Sequence, residues 1–182
     1  RGAYDLSVAA TRALEHARET VRAFIGAAGA EEIIFTKGAT ESINLVARTF
    51  AIKELSFGDE IALLVSEHHS NLIPWQYAAR VSGAKLRYLY TDREGRLPAS
   101  EIEEKITPAT RLVAVGHISN VTGVINPVEE IIARAHSVGA RVLVDGTQAV
   151  PHIPVDVRAL DADFYVFSSH KMLGPGGVGI LY

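Results

Sequence analysis

The 182-residue sequence predicts an α/β protein of three layers, with helices on both faces of a mostly parallel sheet. Short, nearly continuous apolar runs alternate with helical stretches, which is typical of parallel strands buried on both faces. The last apolar run, "GVGILY", is separated from the previous one by a glycine-rich turn rather than by a helix. A parallel neighbour needs a crossover of about a dozen residues or more, so this run is predicted to be the one antiparallel strand.

The elements follow one another along the chain in a regular order. Apolar residues recur at helical spacing from about Ser7 to Ala28, which predicts an amphipathic helix. The runs predicted as strands are EEIIFT, EIALLVSE, AKLRYLY, RLVAVGHIS, ARVLVDG, ADFYVFS and GVGILY. The helices between them are predicted in KGATESINLVARTFAIKEL, SNLIPWQYAARVS, PASEIEEKI and PVEEIIARAHSVG. There is no internal repeat or linker, so residues 1–182 are predicted to form one domain.

The composition excludes several classes of function. Hydrophobic residues make up 48% of the chain, charged residues 21%, and the formal net charge is -3, so neither a nucleic-acid nor a membrane partner is indicated. No apolar stretch approaches the roughly 18 residues that span a bilayer, and no signal-peptide pattern opens the chain. The chain has no cysteine, which excludes disulfides and thiolate chemistry from these residues. We therefore expect a cytoplasmic protein.

Polar residues follow five of the predicted strands, at the point where each strand ends. These groups are Thr36–Thr40, Glu67–His69, Ser119–Asn120, Asp145–Gln148 and Ser168–Lys171. Ligands of open α/β sheets bind beyond the carboxyl ends of the strands. The sequence therefore predicts one site built from all five groups.

The first group lies where a strand turns into a helix. Small residues at Gly38 and Ala39 let the backbone approach a ligand, and free N–H groups at a helix start favour an anion such as phosphate. An alternative is that Thr40 only caps the helix. There is no Walker or dinucleotide glycine pattern, which disfavours a nucleotide.

Asp145 follows the apolar strand "RVLV" and is therefore expected to be buried. A buried carboxylate needs a partner, because desolvation otherwise raises its pKa. A ligand cation or a protonated ring nitrogen would be such a partner, and Gln148 can point at the same ligand. The alternative is an aspartate that caps the next turn.

Lys171 lies between a hydrophobic strand and a glycine-rich turn. Partial burial would lower the pKa of its amine and make it a nucleophile or Schiff-base donor. Most lysines are solvated surface residues, but Ser168 and His170 lie beside this one and both can donate hydrogen bonds to an anion.

The adjacent residues His68 and His69 have three interpretations. They can form a solvated loop, bind a metal ion, or stack an imidazole on a planar cofactor. The sequence has no HExxH or other short metal-ligand motif, which disfavours the metal. A single ligand would use all the groups above: pyridoxal 5′-phosphate (PLP), which offers a phosphate, a ring nitrogen, a phenolic oxygen and an aldehyde.

Several motifs together resemble those of the cysteine desulfurases, a branch of the class V aminotransferases within the fold-type I PLP enzymes. They are TKGATESINLVA, SEHHSNLIPWQ, HISNVTGVINP, LVDGTQAVPHIPVDV and DFYVFSSHKMLGPGGVGILY. The resemblance covers practically the whole chain in order, and the Suf-type branch, which also shows selenocysteine lyase activity, is the most similar.

The resemblance implies a role for each candidate residue. Lys171 would form the Schiff base with PLP, Asp145 would pair with the protonated ring nitrogen, and His68 would stack on the ring and take part in proton transfer. The remaining expected contacts are Gln148 and Asn120 near the phenolic oxygen, and Ala39, Thr40, Ser168 and His170 at the phosphate. Many relatives have Thr at the position of Ala39 and Ala at that of Thr147, so this chain differs mildly there.

The implied reaction converts L-cysteine to L-alanine and leaves a persulfide on an enzyme cysteine, with transfer to an acceptor protein for iron–sulfur cluster assembly. The family enzymes are homodimers, and their persulfide cysteine and substrate-binding arginine lie in a smaller C-terminal domain. We therefore expect residues 1–182 to be the PLP-binding large domain and to be inactive alone. The alternatives are selenocysteine lyase or another class V reaction on the same cofactor, and a non-catalytic PLP-binding or interaction module.

Overall fold

A computed structural model describes residues 4–182 of the chain. Its seven-stranded sheet has the order β1-β7-β6-β5-β4-β2-β3. The strands are β1 (Ile34–Thr36), β2 (Glu60–Leu64), β3 (Lys85–Leu89), β4 (Thr110–Gly116), β5 (Arg141–Asp145), β6 (Phe164–Ser168) and β7 (Gly179–Leu181). The pairs among β2 to β6 are parallel, whereas β7 runs antiparallel to both β1 and β6. The prediction of a mostly parallel sheet with one antiparallel strand is confirmed.

The helices of the described residues are mostly those that the sequence predicts. They are α1 (Asp5–Phe24), α2 (Ala39–Val46), α3 (Ile52–Glu54), α4 (Ile73–Ser82), α5 (Ala99–Lys105), α6 (Val128–Ser137) and α7 (Val157–Leu160). A π-helical segment, Ala47–Ala51, joins α2 to α3, and the short α7 was not predicted. Its start is capped by Asp156, whose side chain accepts the backbone N–H groups of Arg158 and Ala159.

Two hydrophobic cores lie on opposite faces of the sheet, as the apolar strands predict. Along β2, Ile61 and Leu63 face one core and Ala62 and Leu64 the other. Strand side chains alternate between faces, so a strand buried on both faces has to be apolar throughout. One core packs under α2 and α4, and the other under α5, α6 and α7. The three-layer prediction is therefore confirmed.

The first helix differs from its prediction in how it packs. No residue of α1 is buried, and Leu6 is 78% exposed. Only its second half meets the sheet: Arg18 lies over the ring of Phe35 in β1, Val21 packs against the core, and Ile25, just after the helix, is fully buried. The apolar stripe therefore predicted the helix correctly, but within the described residues most of that stripe is not covered. None of the described helices is long and apolar enough to span a membrane.

Candidate functional site

A cavity of about 370 Å³ opens at the carboxyl edge of the sheet. All nine candidate residues line it: Ala39, Thr40, His68, Asn120, Asp145, Gln148, Ser168, His170 and Lys171. They come from the ends of five strands that are scattered over 133 positions of the sequence. Parallel strands bring their carboxyl ends to one edge, which is why these distant groups meet. The structure therefore brings together every residue predicted for the site.

One end of the cavity is formed by the start of α2 and by Ser168. The backbone N–H of Ala39 donates to Oγ of Ser168 at 2.8 Å, so that hydroxyl keeps its own hydrogen for a ligand. Ala39 and Ser168 are buried, whereas Thr40 is exposed to the cavity. In the first turn of a helix no preceding helical carbonyl can accept the N–H groups, and the helix dipole favours an anion. This end of the cavity is suited to a phosphate.

The loop before α2 reaches Ser168 because two glycines pack against each other. A Cβ on Gly179 of β7 would overlap the backbone of Gly38. The absence of a side chain at Gly179 therefore lets the loop lie directly on β7. Below it, the hydroxyl groups of Thr36 and Ser42 are 2.8 Å apart, and Ser42 Oγ donates to the carbonyl of Ile180 in β7.

Asp145, the last residue of β5, is 8% exposed and is the less exposed of the two acidic residues that line the cavity. Burial raises the pKa of Asp145, and hydrogen bonding from Thr147 and the charge of His68 oppose the rise. The backbone N–H of Thr147 donates to Oδ1 of Asp145 at 3.0 Å, so the predicted alternative of a turn-capping aspartate is also realised. Asp145 can cap this turn and also bind a ligand, because the N–H of Thr147 occupies only Oδ1 and leaves Oδ2 for the ligand. Oγ1 of Thr147 is buried and has no hydrogen-bond partner among the described residues.

Glu67 is a second acid at the cavity, and the sequence analysis gave it no role. Its Oε1 accepts the backbone N–H of Gly116 at 2.6 Å, and its Oε2 accepts Nδ2 of Asn71 at 2.7 Å. The Oδ1 of Asn71 in turn accepts Nε1 of the fully buried Trp75 at 2.9 Å. Burial raises the pKa of Glu67 to about 8, and the negative charge of Asp145 raises it further. The two hydrogen bonds lower it but do not cancel the effect of burial. Glu67 thus joins the end of β2 to the end of β4.

His68 lies between Glu67 and the short helical turn His69–Asn71. Its Nδ1 is 2.7 Å from Oγ of Ser70 and accepts the backbone N–H of Ser70 at 3.2 Å. The ring lines the cavity, whereas His69 does not. Only the first histidine of the pair therefore belongs to the site.

Lys171 is carried by the turn Ser169–Met172, directly after β6. Ser169 holds the following loop: its N–H and Oγ both donate to the carbonyl of Val178 at 3.0 Å, and Oγ also contacts the carbonyl of Pro175. Lys171 and His170 line the cavity but are exposed. The partial burial of Lys171 that the sequence analysis expected is therefore wrong, because the lysine follows the strand on a turn at the cavity mouth.

Asn120 and Gln148 complete the wall. Asn120 is exposed on a turn that is closed by a hydrogen bond from the N–H of Ser119 to the carbonyl of Val124, at 2.9 Å. Gln148 is half-buried, three residues after Asp145. Within residues 4–182, no group of three or more His, Cys, Asp or Glu side chains could hold a metal ion.

Six polar residues line the cavity although the sequence analysis gave them no role. They are Ser66, Glu67, Ser70, Ser119, Asn126 and Thr147. Of these, Ser66, Ser70 and Asn126 lie outside the five polar groups that the sequence indicated. Nδ2 of Asn126 donates to the carbonyl of Gly116 at 2.7 Å, so it fixes the same strand end as Glu67. The position of Glu67 at a strand end was visible in the sequence, but its contacts depend on the register between β2 and β4.

Comparison with known proteins gives a consistent result over the whole chain. The model of the family described as "Aminotransferase class-V" matches residues 1–182. A probable cysteine desulfurase of Halalkalibacterium halodurans is 50% identical over 182 residues, which are 100% of this chain and 45% of the relative. The chain thus spans about half the length of the curated relatives it matches.

Two solved structures are similar to this chain over its whole length. The apo structure of a cysteine desulfurase from Thermococcus onnurineus NA1 has a TM-score of 0.95 and 46% identity, covering 100% of this chain and 45% of that one. SspA, solved in complex with cysteine, has a TM-score of 0.91 and 31% identity, covering 100% of this chain and 52% of that one.

Proposed function

Because the chain belongs to the class V aminotransferase family, we propose that it is the PLP-binding large domain of a cysteine desulfurase. The observation that carries the proposal is the convergence of an anion-binding end, a buried aspartate and a lysine on one cavity. The names of the similar proteins and the cysteine complex of SspA support L-cysteine as the substrate. The proposal extends to the longer protein, since the matched relatives are about twice the length of this chain.

The residues of the cavity fit PLP. The class V enzymes and the cysteine desulfurases depend on this cofactor. The start of α2 and the hydroxyl of Ser168 supply donors for a phosphate, and the exposed groups of Thr40 and His170 lie on the same cavity.

The other end of the cavity fits the cofactor ring. Asp145 needs a cationic partner because it is buried, and a protonated ring nitrogen would favour its ionised form. Gln148 and Asn120 would hydrogen-bond the phenolic oxygen, and the exposed ring of His68 would stack on the pyridine. When bound, PLP supplies an electron sink for the electron pair released at the substrate Cα.

The protein's own groups would then move the protons. Nζ of Lys171 would hold the aldehyde end of the cofactor and accept the proton that the substrate Cα loses. The carboxylate of Asp145 would hold its charge next to the ring, and His68, which lines the same cavity, would hydrogen-bond to the substrate. The 182 residues contain no cysteine, so a thiol that accepts the sulfur has to lie outside them.

We further propose that the complete protein is a cytoplasmic homodimer that passes persulfide sulfur to an acceptor protein for iron–sulfur cluster assembly. These expectations rest on the family resemblance. Light scattering of the complete protein, and sulfur transfer to thiol-bearing proteins from the same cell extract, would test them.

Cofactor binding is tested by adding PLP to the 182-residue chain and to the longer protein. We expect a new visible absorbance band and, after borohydride reduction, a covalent adduct that mass spectrometry locates on Lys171. Lys171→Ala should abolish the adduct, whereas Lys53→Ala, a change at an exposed lysine of α3, should keep it. An adduct that survives Lys171→Ala would contradict the assignment.

The reaction is tested by incubating the longer protein with L-cysteine and measuring alanine and sulfide. We expect turnover by the longer protein and none by the 182-residue chain. A protein that acts on L-selenocysteine and leaves L-cysteine unchanged would be a selenocysteine lyase instead.

A further inference from the structure

The two nitrogens of His68 have different surroundings. Nδ1 is turned back onto the turn that follows, where both donors of Ser70 reach it: the backbone N–H at 3.2 Å and Oγ at 2.7 Å. The ring lines the cavity, and Nδ1 is occupied, so Nε2 is the nitrogen left for a ligand. The side chain of His68 therefore has one structural nitrogen and one that can take part in chemistry.

The contacts determine which nitrogen carries the hydrogen in the neutral ring. A backbone N–H can only donate, so Nδ1 has to accept it and cannot bear a hydrogen itself. The hydroxyl of Ser70 is then a second donor to the same nitrogen. A hydrogen on Nδ1 would face the N–H of Ser70 and would lose that contact, whereas the hydroxyl of Ser70 can donate to a bare Nδ1 or accept from an Nδ1–H. The neutral ring therefore carries its hydrogen on Nε2.

The turn that holds these contacts is anchored on both sides. Glu67, before His68, is tied to Gly116 and to Asn71, and Asn71 is tied to the indole of Trp75. The N–H of Asn71 also donates to the carbonyl of His68 at 2.8 Å. Asn71 and Trp75 are both fully buried. Ser70 therefore has little freedom to move away from the imidazole.

We propose that Ser70 is a positioning residue: its backbone N–H holds His68 as the Nε2–H tautomer and its hydroxyl orients the ring, so that the neutral ring presents a hydrogen-bond donor to the cavity. In this tautomer Nε2 cannot accept a proton. Removal of a proton from a substrate is thereby left to another group, and Lys171 is the amine that lines the same cavity. This division of roles rests on the proposed function, whereas the tautomer itself does not.

A second histidine provides an internal reference with the opposite assignment. Nδ1 of His152 is 2.6 Å from the backbone carbonyl of Gln148. A carbonyl can only accept, so His152 has to carry its hydrogen on Nδ1. The two exposed histidines should therefore give opposite nitrogen patterns in one spectrum.

The test is a long-range ¹H–¹⁵N correlation spectrum of the longer protein with ¹⁵N-labelled histidine, without PLP, at a pH of about 9 where imidazoles are neutral. His68→Gln and His152→Gln identify the two signals. We expect the Nε2–H pattern for His68 and the Nδ1–H pattern for His152. Ser70→Ala keeps the backbone N–H and should therefore keep the Nε2–H pattern, because the lost hydroxyl can bond to Nδ1 in either tautomer.

The kinetic arm uses the longer protein loaded with PLP. Ser70→Ala should lower kcat for L-cysteine with KM little changed, Ser70→Thr, which keeps a hydroxyl, should restore kcat, and Ser137→Ala, at an exposed serine of α6, should match the unsubstituted protein. An Nδ1–H pattern for His68, in the unsubstituted protein or in Ser70→Ala, would overturn the tautomer assignment. An unchanged kcat in Ser70→Ala would overturn the positioning role of the hydroxyl. If the protein shows the Nε2–H pattern but binds no PLP, the result would support the tautomer and contradict the proposed function.

Discussion

Glu67 gives this chain a pH dependence of stability that can be isolated by one substitution. Its folded-state pKa is raised from 4.5 to about 8, because the carboxyl is taken out of water beside Asp145. Between these two pH values the folded state binds more protons than the unfolded state. Stability therefore falls as the pH rises through this window, and below a pH of about 4.5 the contribution of Glu67 is fully present.

The size of the effect follows from the shift and from the geometry of the carboxyl. A shift of this size corresponds to about 5 kcal/mol at most, at roughly 1.4 kcal/mol per pH unit. Glu67 is only partly buried and faces an open cavity, so we expect about 2–3 kcal/mol after solvent screening. Glu67→Gln removes the titration but adds a constant cost. The glutamine amide can accept only one of the hydrogen bonds from Gly116 and Asn71, and an unpaired buried donor costs about 1–3 kcal/mol.

The assay is urea denaturation of the cofactor-free protein and of Glu67→Gln at several values of pH from about 5 to 9. Asp145 titrates in both proteins, so the difference between them contains the titration of Glu67 and its coupling to Asp145. We expect the variant to be less stable at the acidic end and the gap to narrow or reverse toward the alkaline end. A difference in unfolding free energy that stays constant over this range would refute the raised pKa of Glu67.

Two further substitutions test the two ends of the cavity. Gly179→Ala should destabilise the fold by about 1–3 kcal/mol and weaken binding of inorganic phosphate, because the new methyl group overlaps the backbone of Gly38. Thermal denaturation and phosphate titration measure both effects, and Gly176→Ala, which has open space around it, is the control. Asp145→Asn should lower PLP affinity about 10–100-fold, the worth of a hydrogen bond to a charged group, as measured by equilibrium dialysis. If Asp145→Asn binds PLP as tightly as the unsubstituted protein, the proposed pairing of Asp145 with the ring nitrogen is contradicted.

The sequence predicted the architecture and the site for the same physical reason. Strands that are apolar throughout have to be buried on both faces, and such a sheet is mostly parallel. Its carboxyl ends then share one edge, so residues as distant as Thr40 and Lys171 could be assigned to one site without knowing the strand order. The lack of a crossover helix before "GVGILY" likewise predicted that β7 runs antiparallel, because a chain that reverses directly cannot form a parallel neighbour.

Other features depended on information that no local pattern contains. The carboxyl of Glu67 is held by Gly116 because β2 pairs with β4, and nothing between these positions in the sequence indicates that pairing. The exposure of Lys171 depends on the turn that follows β6 rather than on the buried strand itself. The uncovered stripe of α1 has the same origin, since periodicity predicts that a helix has an apolar face but not what covers it.

The antiparallel strand also determines how the anion-binding end is built. Strand β7 lies between β1, which leads into α2, and β6, which ends in Ser168. Two strand spacings of about 4.8 Å each therefore separate β1 from β6. The N–H of Ala39 is nevertheless within 2.8 Å of Oγ of Ser168, so the loop after β1 has to cross β7. It can do so only where β7 has no side chain, at Gly179. The glycine-rich run after Lys171 thus has two roles. It reverses the chain, and its Gly179 leaves space for the start of α2 to cross β7 and reach the cavity that Lys171 also lines.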